Sequence, residues 1–253
     1  MNTTRPNKMR LSVFSSLMAA VVLLVADPAG AGEGRRPAGV VELFTSQSCN
    51  SCPPADALLA ELAQGGNVVA LAYHVDYWDY HGWRDTFGSP DNTRRQHEYR
   101  QALGERSVYT PQAVVNGRLD VNGAKREKVM KALEVAGGLT VDVSITQQDD
   151  RVVIETGAGP ASYANLVIVF FEPPTAVSIG RGENSGRTIS YWNAVSEWQI
   201  AGMWHGKPAR IELPASEIAK KATGGYAVLV QEITNTGLPG AIIGAAIARK
   251  PTD

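Results

Sequence analysis

The stretch that most restricts the fold is "GVVELFTSQSCNSCPPADALLAELAQ", residues 39 to 64. It opens apolar and β-branched, which favours a buried strand. Two prolines then precede a run with apolar residues at helical spacing, and the first turn of a helix tolerates proline because its missing N–H has no partner there anyway. Cys49 and Cys52, the two cysteines of the chain, fall at this junction. The segment predicts a strand feeding directly into a helix, with a C-x-x-C pair on the connecting turn.

That placement carries chemistry. A helix N-terminus offers unpaired N–H groups and the positive end of the dipole, and both favour a thiolate over a thiol. On this reading Cys49 is the exposed nucleophile and Cys52, one turn in, is the resolving thiol. A metal clip and an inert staple use the same two residues. The N-terminus bears on the choice. Arg5, Lys8 and Arg10 precede the apolar run "LSVFSSLMAAVVLLVA" (11 to 26), and Ala29-Gly30-Ala31 has the small-x-small form of a cleavage site. Residues 1–31 are predicted to be a signal peptide cut after Ala31, giving a periplasmic or secreted protein without stable membrane insertion. A disulfide persists in such a compartment. Two cysteines are too few for a disulfide scaffold, so local chemistry is favoured over global stapling.

Cleavage removes three basic residues and one acidic one, taking the formal charge from −1 to −3. A near-neutral chain without basic clusters gives no reason to expect nucleic acid as a partner. No phosphate-loop, dinucleotide, serine-hydrolase or zinc-protease fingerprint occurs, and no cofactor is expected.

From 39 to 136 strand-like and helix-like segments alternate, as in an α/β domain. "NVVALAYHVD" reads as a strand, "TRRQHEYRQALG" as a helix, "QAVVNGRLDVNG" as a hairpin around Asn116-Gly117, and "AKREKVMKALEVA" as a closing amphipathic helix. Beyond Gly137-Gly138 helical signals fade. "LTVDVSIT" alternates apolar and polar residues, and further short strand-like runs follow between Gly, Pro and Asn turns. That texture predicts an all-β, immunoglobulin-like sandwich over 139–250, after an α/β domain over 38–137 carrying an aromatic insertion at 74–104.

The order strand, C-x-x-C, helix, strand, helices, x-Pro, hairpin, helix resembles the thioredoxin-like superfamily. The resemblance implies a thioredoxin-like fold for the first domain. It also implies a cis-proline that docks substrate backbone, matched by Thr110-Pro111 in "VYTPQAVVNGR", and a buried acid that takes the proton of the resolving thiol, matched by Glu42. More narrowly, "ELFTSQSCNSCPPAD", "AYHVDYWDYHGWRD", "YTPQAVVNG" and "RGENSGR" resemble one secreted bacterial family, catalogued as domain of unknown function 1223. The chain departs from ordinary thioredoxins in enclosing Asn50-Ser51 between its cysteines and in lacking a tryptophan before Cys49. The aromatic insertion is expected to cover or flank the cysteines. The glycine-rich loop with Arg181, Glu183, Asn184 and Arg187 reads as an ion-paired loop able to reach the first domain.

The expected function is thiol–disulfide exchange with a protein or small-thiol substrate. One alternative is copper(I) or other metal handling by Cys49, Cys52 and His74, since soft sulfur and imidazole ligands suit such ions. The other is a binding protein whose disulfide is inert.

Overall fold

Strand β1 (Gly39–Thr45) runs parallel to β2 (Val68–His74) and antiparallel to β3 (Gln112–Val115), which turns into β4 (Leu119–Asn122), giving the sheet order β2-β1-β3-β4. Helix α1 (Pro53–Gly65) begins on Pro53-Pro54 and stops at Gly66, whose φ of 68° is a left-handed cap. Helix α2 (Pro90–Ala102) is capped by Ser89, whose Oγ accepts from Asp91 N, and α3 (Arg126–Val135) follows β4. The hairpin between β3 and β4 closes on Asn116 and Gly117, both at positive φ (50° and 62°), with Arg118 N donating to Val115 O at 3.0 Å. These are the two residue types that tolerate such a turn.

The second half contributes β5 (Val143–Gln148), β6 (Arg151–Thr156), β7 (Ala164–Phe171), β8 (Thr175–Ser178), β9 (Thr188–Tyr191), β10 (Val195–Trp204), β11 (Ala209–Pro214), α4 (Ala215–Lys221), β12 (Gly225–Ile233) and β13 (Pro239–Arg249). They form an antiparallel sheet β10-β7-β12-β13, a three-stranded sheet β11-β6-β5 and the small hairpin β8-β9. This computed structural model describes residues 1–2, 36–160 and 163–250, so nearly all of the expected signal peptide lies outside the described residues. Among the described residues no helix is long and apolar enough to cross a membrane.

Strand alternation explains the layers. Val41, Leu43, Ala70, Ala72, Ala113 and Val115 point to one face of the first sheet, where they meet Ala55, Leu58, Leu59 and Ala63 of α1 and Val129 and Ala132 of α3. Val40, Phe44, Val69, Leu71, Tyr73 and Val114 point the other way, onto Val167, Val169, Phe171, Ala227 and Leu229 of the second sheet. The opposite face of that second sheet, with Leu166, Ile168, Phe170, Val228 and Val230, packs on Val152 and Ile154 of the third and on Ile218 of α4.

The expected arrangement of a thioredoxin-like domain followed by an all-β immunoglobulin-like sandwich is therefore corrected. The described residues from Arg36 on fall in one compact unit, a mixed α/β arrangement with four sheets and four α-helices among them. The central strands β7 and β12 of the sheet β10-β7-β12-β13 are buried on both faces, between the first sheet and the third, so this sheet is a shared middle layer and not half of a separate sandwich. Its strands show this in their burial, which is unbroken from Leu166 to Phe171 and from Gly225 to Gln231 in place of the alternation of a half-exposed strand. The second half is also not all β, because α4 sits between β11 and β12.

Candidate functional site

The register of the first sheet brings its functional segments to one end. Phe44 pairs with Gln112, so the cysteine loop leaving β1 and the Thr110-Pro111 segment entering β3 lie at the same edge. Within the loop Cys49 N donates to Ser46 O (3.1 Å) and Cys52 N to Cys49 O (3.2 Å), winding the chain toward α1 before the helix begins. Cys52 is the N-cap residue, and the helix takes over with Ala55 N and Asp56 N donating to Cys52 O. The two cysteines are joined as a disulfide, their Cα atoms 5.4 Å apart.

Cys49 is not the exposed residue the sequence predicts. It is 1% exposed and Cys52 is 0% exposed. Two segments seal them. On one side stands the aromatic insertion: Trp83 Nε1 donates to Gln47 Oε1 (2.9 Å), Gln47 Nε2 donates to Thr86 Oγ1 (2.8 Å), and Ser48 Oγ donates to the carbonyl of Trp83 (2.7 Å). On the other stands the tip of the β8-β9 hairpin. Asn184 Nδ2 donates to the carbonyls of both Gln47 and Cys49, each at 2.9 Å, and Glu183 Oε2 accepts from Asn50 N at 3.3 Å. The "RGENSGR" loop thus reaches the cysteines, through the Asn184 amide on two carbonyls and the Glu183 carboxylate on one backbone N–H.

Behind the disulfide lies a buried polar cluster. Asp56 follows Cys52 by four residues, on the same face of the helix, and is 3% exposed. Thr45 Oγ1 donates to its Oδ1 at 2.7 Å. Burial pushes this carboxyl up to about 7, against the lowering effects of His74 and the Thr45 hydrogen bond. His74 Nδ1 lies 2.8 Å from Asp85 Oδ2, and both side chains are fully buried. Burial opposes the imidazolium, yet the carboxylates of Asp85 and Asp56 outweigh it and raise the His74 pKa. Burial likewise opposes ionisation of Asp85, but His74 and the N–H groups of Gln47 and Phe87 bring its pKa below the usual carboxylate value. Tyr191 packs edge-on against the His74 ring, with centroids 4.9 Å apart. Asp56 Oδ2, His74 Nε2 and the Tyr191 hydroxyl are buried without a hydrogen-bond partner among the described residues.

The other predicted site residues are placed as follows. The Thr110-Pro111 bond is cis, and Thr110 Oγ1 accepts from Trp78 Nε1 at 2.8 Å, tying the aromatic insertion to this segment. Glu42 lies on the opposite face of the sheet from α1 and Asp56. Arg95 Nε donates to its Oε1 at 2.8 Å, the Tyr99 hydroxyl donates to its Oε2, and Gln231 bonds both Arg95 and Tyr99. Alternation along β1 dictates this: Leu43 and Thr45 face α1, so Glu42 cannot. His74 belongs to the cysteine end of the sheet, but its Nδ1 is held by Asp85. Among the described residues no three His, Cys, Asp or Glu side chains are grouped as a metal would need.

Sequence reasoning does not place Asp56, Asp85 or Tyr191 in the site: it reads Asp56 as a first-turn acid that favours the helix dipole and Asp85 as a solvated loop acid. For Asp56 a signal existed, since a carboxylate four residues after Cys52 shares the face that α1 turns to the sheet. The family model described as protein of unknown function DUF1223 matches residues 40–231. A comparison with curated proteins returned no match. Among solved structures, the crystal structure of an Agrobacterium tumefaciens protein from a structural genomics consortium is similar, with 44% identity and a TM-score of 0.79 over 87% of this chain and 97% of that one. A hypothetical protein from Pyrococcus horikoshii OT3 matches 44% of this chain and 88% of its own at 10% identity, but its TM-score of 0.20 carries no argument. With three quarters of its length matched by the family model, the chain belongs to the DUF1223 family of proteins of unknown function.

Proposed function

We propose that the chain is an exported thiol–disulfide exchange protein whose reacting pair is Cys49 and Cys52. In the reduced protein the Cys49 thiolate attacks one sulfur of a substrate disulfide. That bond breaks, and the first substrate sulfur leaves as a thiolate. Cys52 then gives up its proton, attacks Cys49 Sγ to re-form the internal disulfide, and expels the second substrate sulfur. Two electrons pass from the pair to the substrate, and the reverse sequence oxidises a substrate dithiol.

The observation that carries this reading is the disulfide at the start of α1 with the buried Asp56 one turn behind it. A carboxyl with a pKa near 7 is matched to accepting the Cys52 proton and returning it near neutral pH. Glu42, committed to Arg95 on the other face, is left a structural role in this proposal. Thr110-Pro111, at the same edge as the cysteines, is the proposed seat for substrate backbone.

The near-complete burial of both cysteines favours a second reading, an inert disulfide in a binding protein. Magnitude argues against a staple as the reason for the bond. Closing a loop this short constrains the unfolded chain by only about 2 kcal/mol. Equilibration with glutathione buffers separates the two readings. A potential between roughly −120 and −270 mV supports exchange, and one below about −300 mV supports the inert bond.

A further inference from the structure

We infer that the tip of the β8-β9 hairpin, Gly180 to Arg187, is a removable plug that controls access to the Cys49–Cys52 disulfide, with Asn184 as its positioning residue. This rests on the exchange reading of the same site. Within the tip only Asn184 is buried, at 1% exposed, while its neighbours on both sides are open to solvent or half-buried. Its amide is spent on two carbonyls of the cysteine loop, and its Oδ1 accepts from Arg187 of the tip itself at 3.1 Å. The connection between tip and cysteine loop is thus one inserted side chain plus the Glu183 to Asn50 contact. A β-carbon at Gly182 would come within 3.3 Å of Trp83 Cβ, and φ there is +77°, so a side chain at that position would be strained and would crowd the aromatic insertion. The hairpin that carries the tip is lightly packed, with most of its β8 and β9 residues exposed or half-buried. Few groups hold the tip down, and those few cover the cysteines.

Opening frees the carbonyl of Gln47, the N–H of Asn50 and one accepting position on the Cys49 carbonyl, which still accepts from Cys52 N. An extended peptide backbone offers donors and an acceptor set along its length for these three groups, whereas dithiothreitol carries only two hydroxyls beside its own thiols. The geometry therefore selects a polypeptide as the exchange partner, its backbone replacing the plug.

The test is the rate at which tris(2-carboxyethyl)phosphine reduces the oxidised protein. The phosphine attacks one sulfur, the S–S bond breaks, and hydrolysis leaves two thiols and a phosphine oxide. Wild type should react far more slowly than the same protein unfolded in urea. Asn184→Ala should react about thirtyfold faster than wild type, as removal of two hydrogen bonds of ordinary net strength implies. Glu183→Ala, which alters only an exposed side chain, should be about threefold faster, and it keeps the test alive if Asn184→Ala does not fold. Ile154→Ala, in the remote third-sheet core, should lose stability without gaining rate. Equal rates for wild type and urea-unfolded protein, or equal acceleration by Ile154→Ala, would overturn the plug. For the partner class, a reduced two-cysteine peptide and dithiothreitol are compared on wild type, each normalised to its rate with oxidised glutathione. A peptide advantage of about thirtyfold is expected for two recovered hydrogen bonds, and no advantage would overturn the polypeptide assignment. The phosphine rate does not depend on any exchange activity, so a plug without a physiological potential would sink the exchange reading alone.

Discussion

Replacing Asp56 by Asn should make the protein more stable above neutral pH, by a margin that grows as the pH rises. The folded carboxyl titrates near 7, whereas the unfolded one titrates near its ordinary value of 3.8. Below 3.8 both states hold the proton, and the buried group costs nothing through ionisation. Between 3.8 and 7 only the folded state holds it, so stability falls with rising pH, and above 7 the loss is complete. A separation of about three pKa units corresponds to about 4 kcal/mol. Asparagine keeps an acceptor for the Thr45 hydroxyl and never ionises. Its amide N–H, in place of the unpartnered Oδ2, adds a constant cost of about 1–3 kcal/mol. The offset is avoided by comparing two pH values: the advantage of Asp56→Asn should grow by about 2–3 kcal/mol between pH 5 and pH 8. Urea unfolding of both proteins with the disulfide intact, followed by tryptophan fluorescence, measures it. His74 acts in the same direction, because its raised pKa gives stability that is present below 6.5 and lost as pH rises through the folded value. That contribution stays in the variant, reduced by the loss of the Asp56 charge. A pH-independent difference between the two proteins would refute the buried, proton-holding Asp56, and with it the route proposed for the Cys52 proton.

Arg95→Ala should destabilise the protein by about 3–5 kcal/mol in urea unfolding, since it strands Glu42 as a buried unpaired carboxylate, and should leave the Cys49–Cys52 potential unchanged. Asn116→Ala should cost about 2–4 kcal/mol, having lost hydrogen bonds to Val40 N and Gly137 O at a positive-φ position. Reduction of the disulfide should lower stability by only about 2 kcal/mol and leave a folded, cooperative protein; a reduced form that is unfolded in calorimetry would contradict this.

What the sequence made legible was local. The strand, cysteine turn and helix from 39 to 65 follow from β-branching, proline position and helical spacing, and the Asn116-Gly117 turn follows from its two residue types. The middle layer was harder. "NLVIVFF" and "GYAVLVQ" carry the continuous apolar character of strands covered on both faces, but such runs do not say which partner covers which face. Glu42 was misleading for a related reason. Both faces of β1 are apolar, so periodicity alone does not say which side receives α1, and a one-residue change of parity moves the acid across the sheet. The Asn184 contact spans more than a hundred residues and rests on a single amide, a pairing that leaves no periodic trace.

Asn116 also bears on the order in which the molecule is completed. Its backbone N–H bonds Val40 O, its side chain bonds Val40 N and Gly137 O, and its carbonyl accepts from Ile242 N. The first three partners are made early in a chain that emerges N-terminus first, and the fourth arrives only with β13. The inner face of the first sheet waits as well, since Val40, Phe44 and Val69 are covered by β7 and β12. Until β12 has been delivered an apolar sheet face stands open, and in the earlier part of that interval, before Asn184 has emerged, the cysteines lack the hairpin tip that will cover them. The emerging chain thus passes through a stage in which its cysteines lack the contacts that Asn184 makes with their loop.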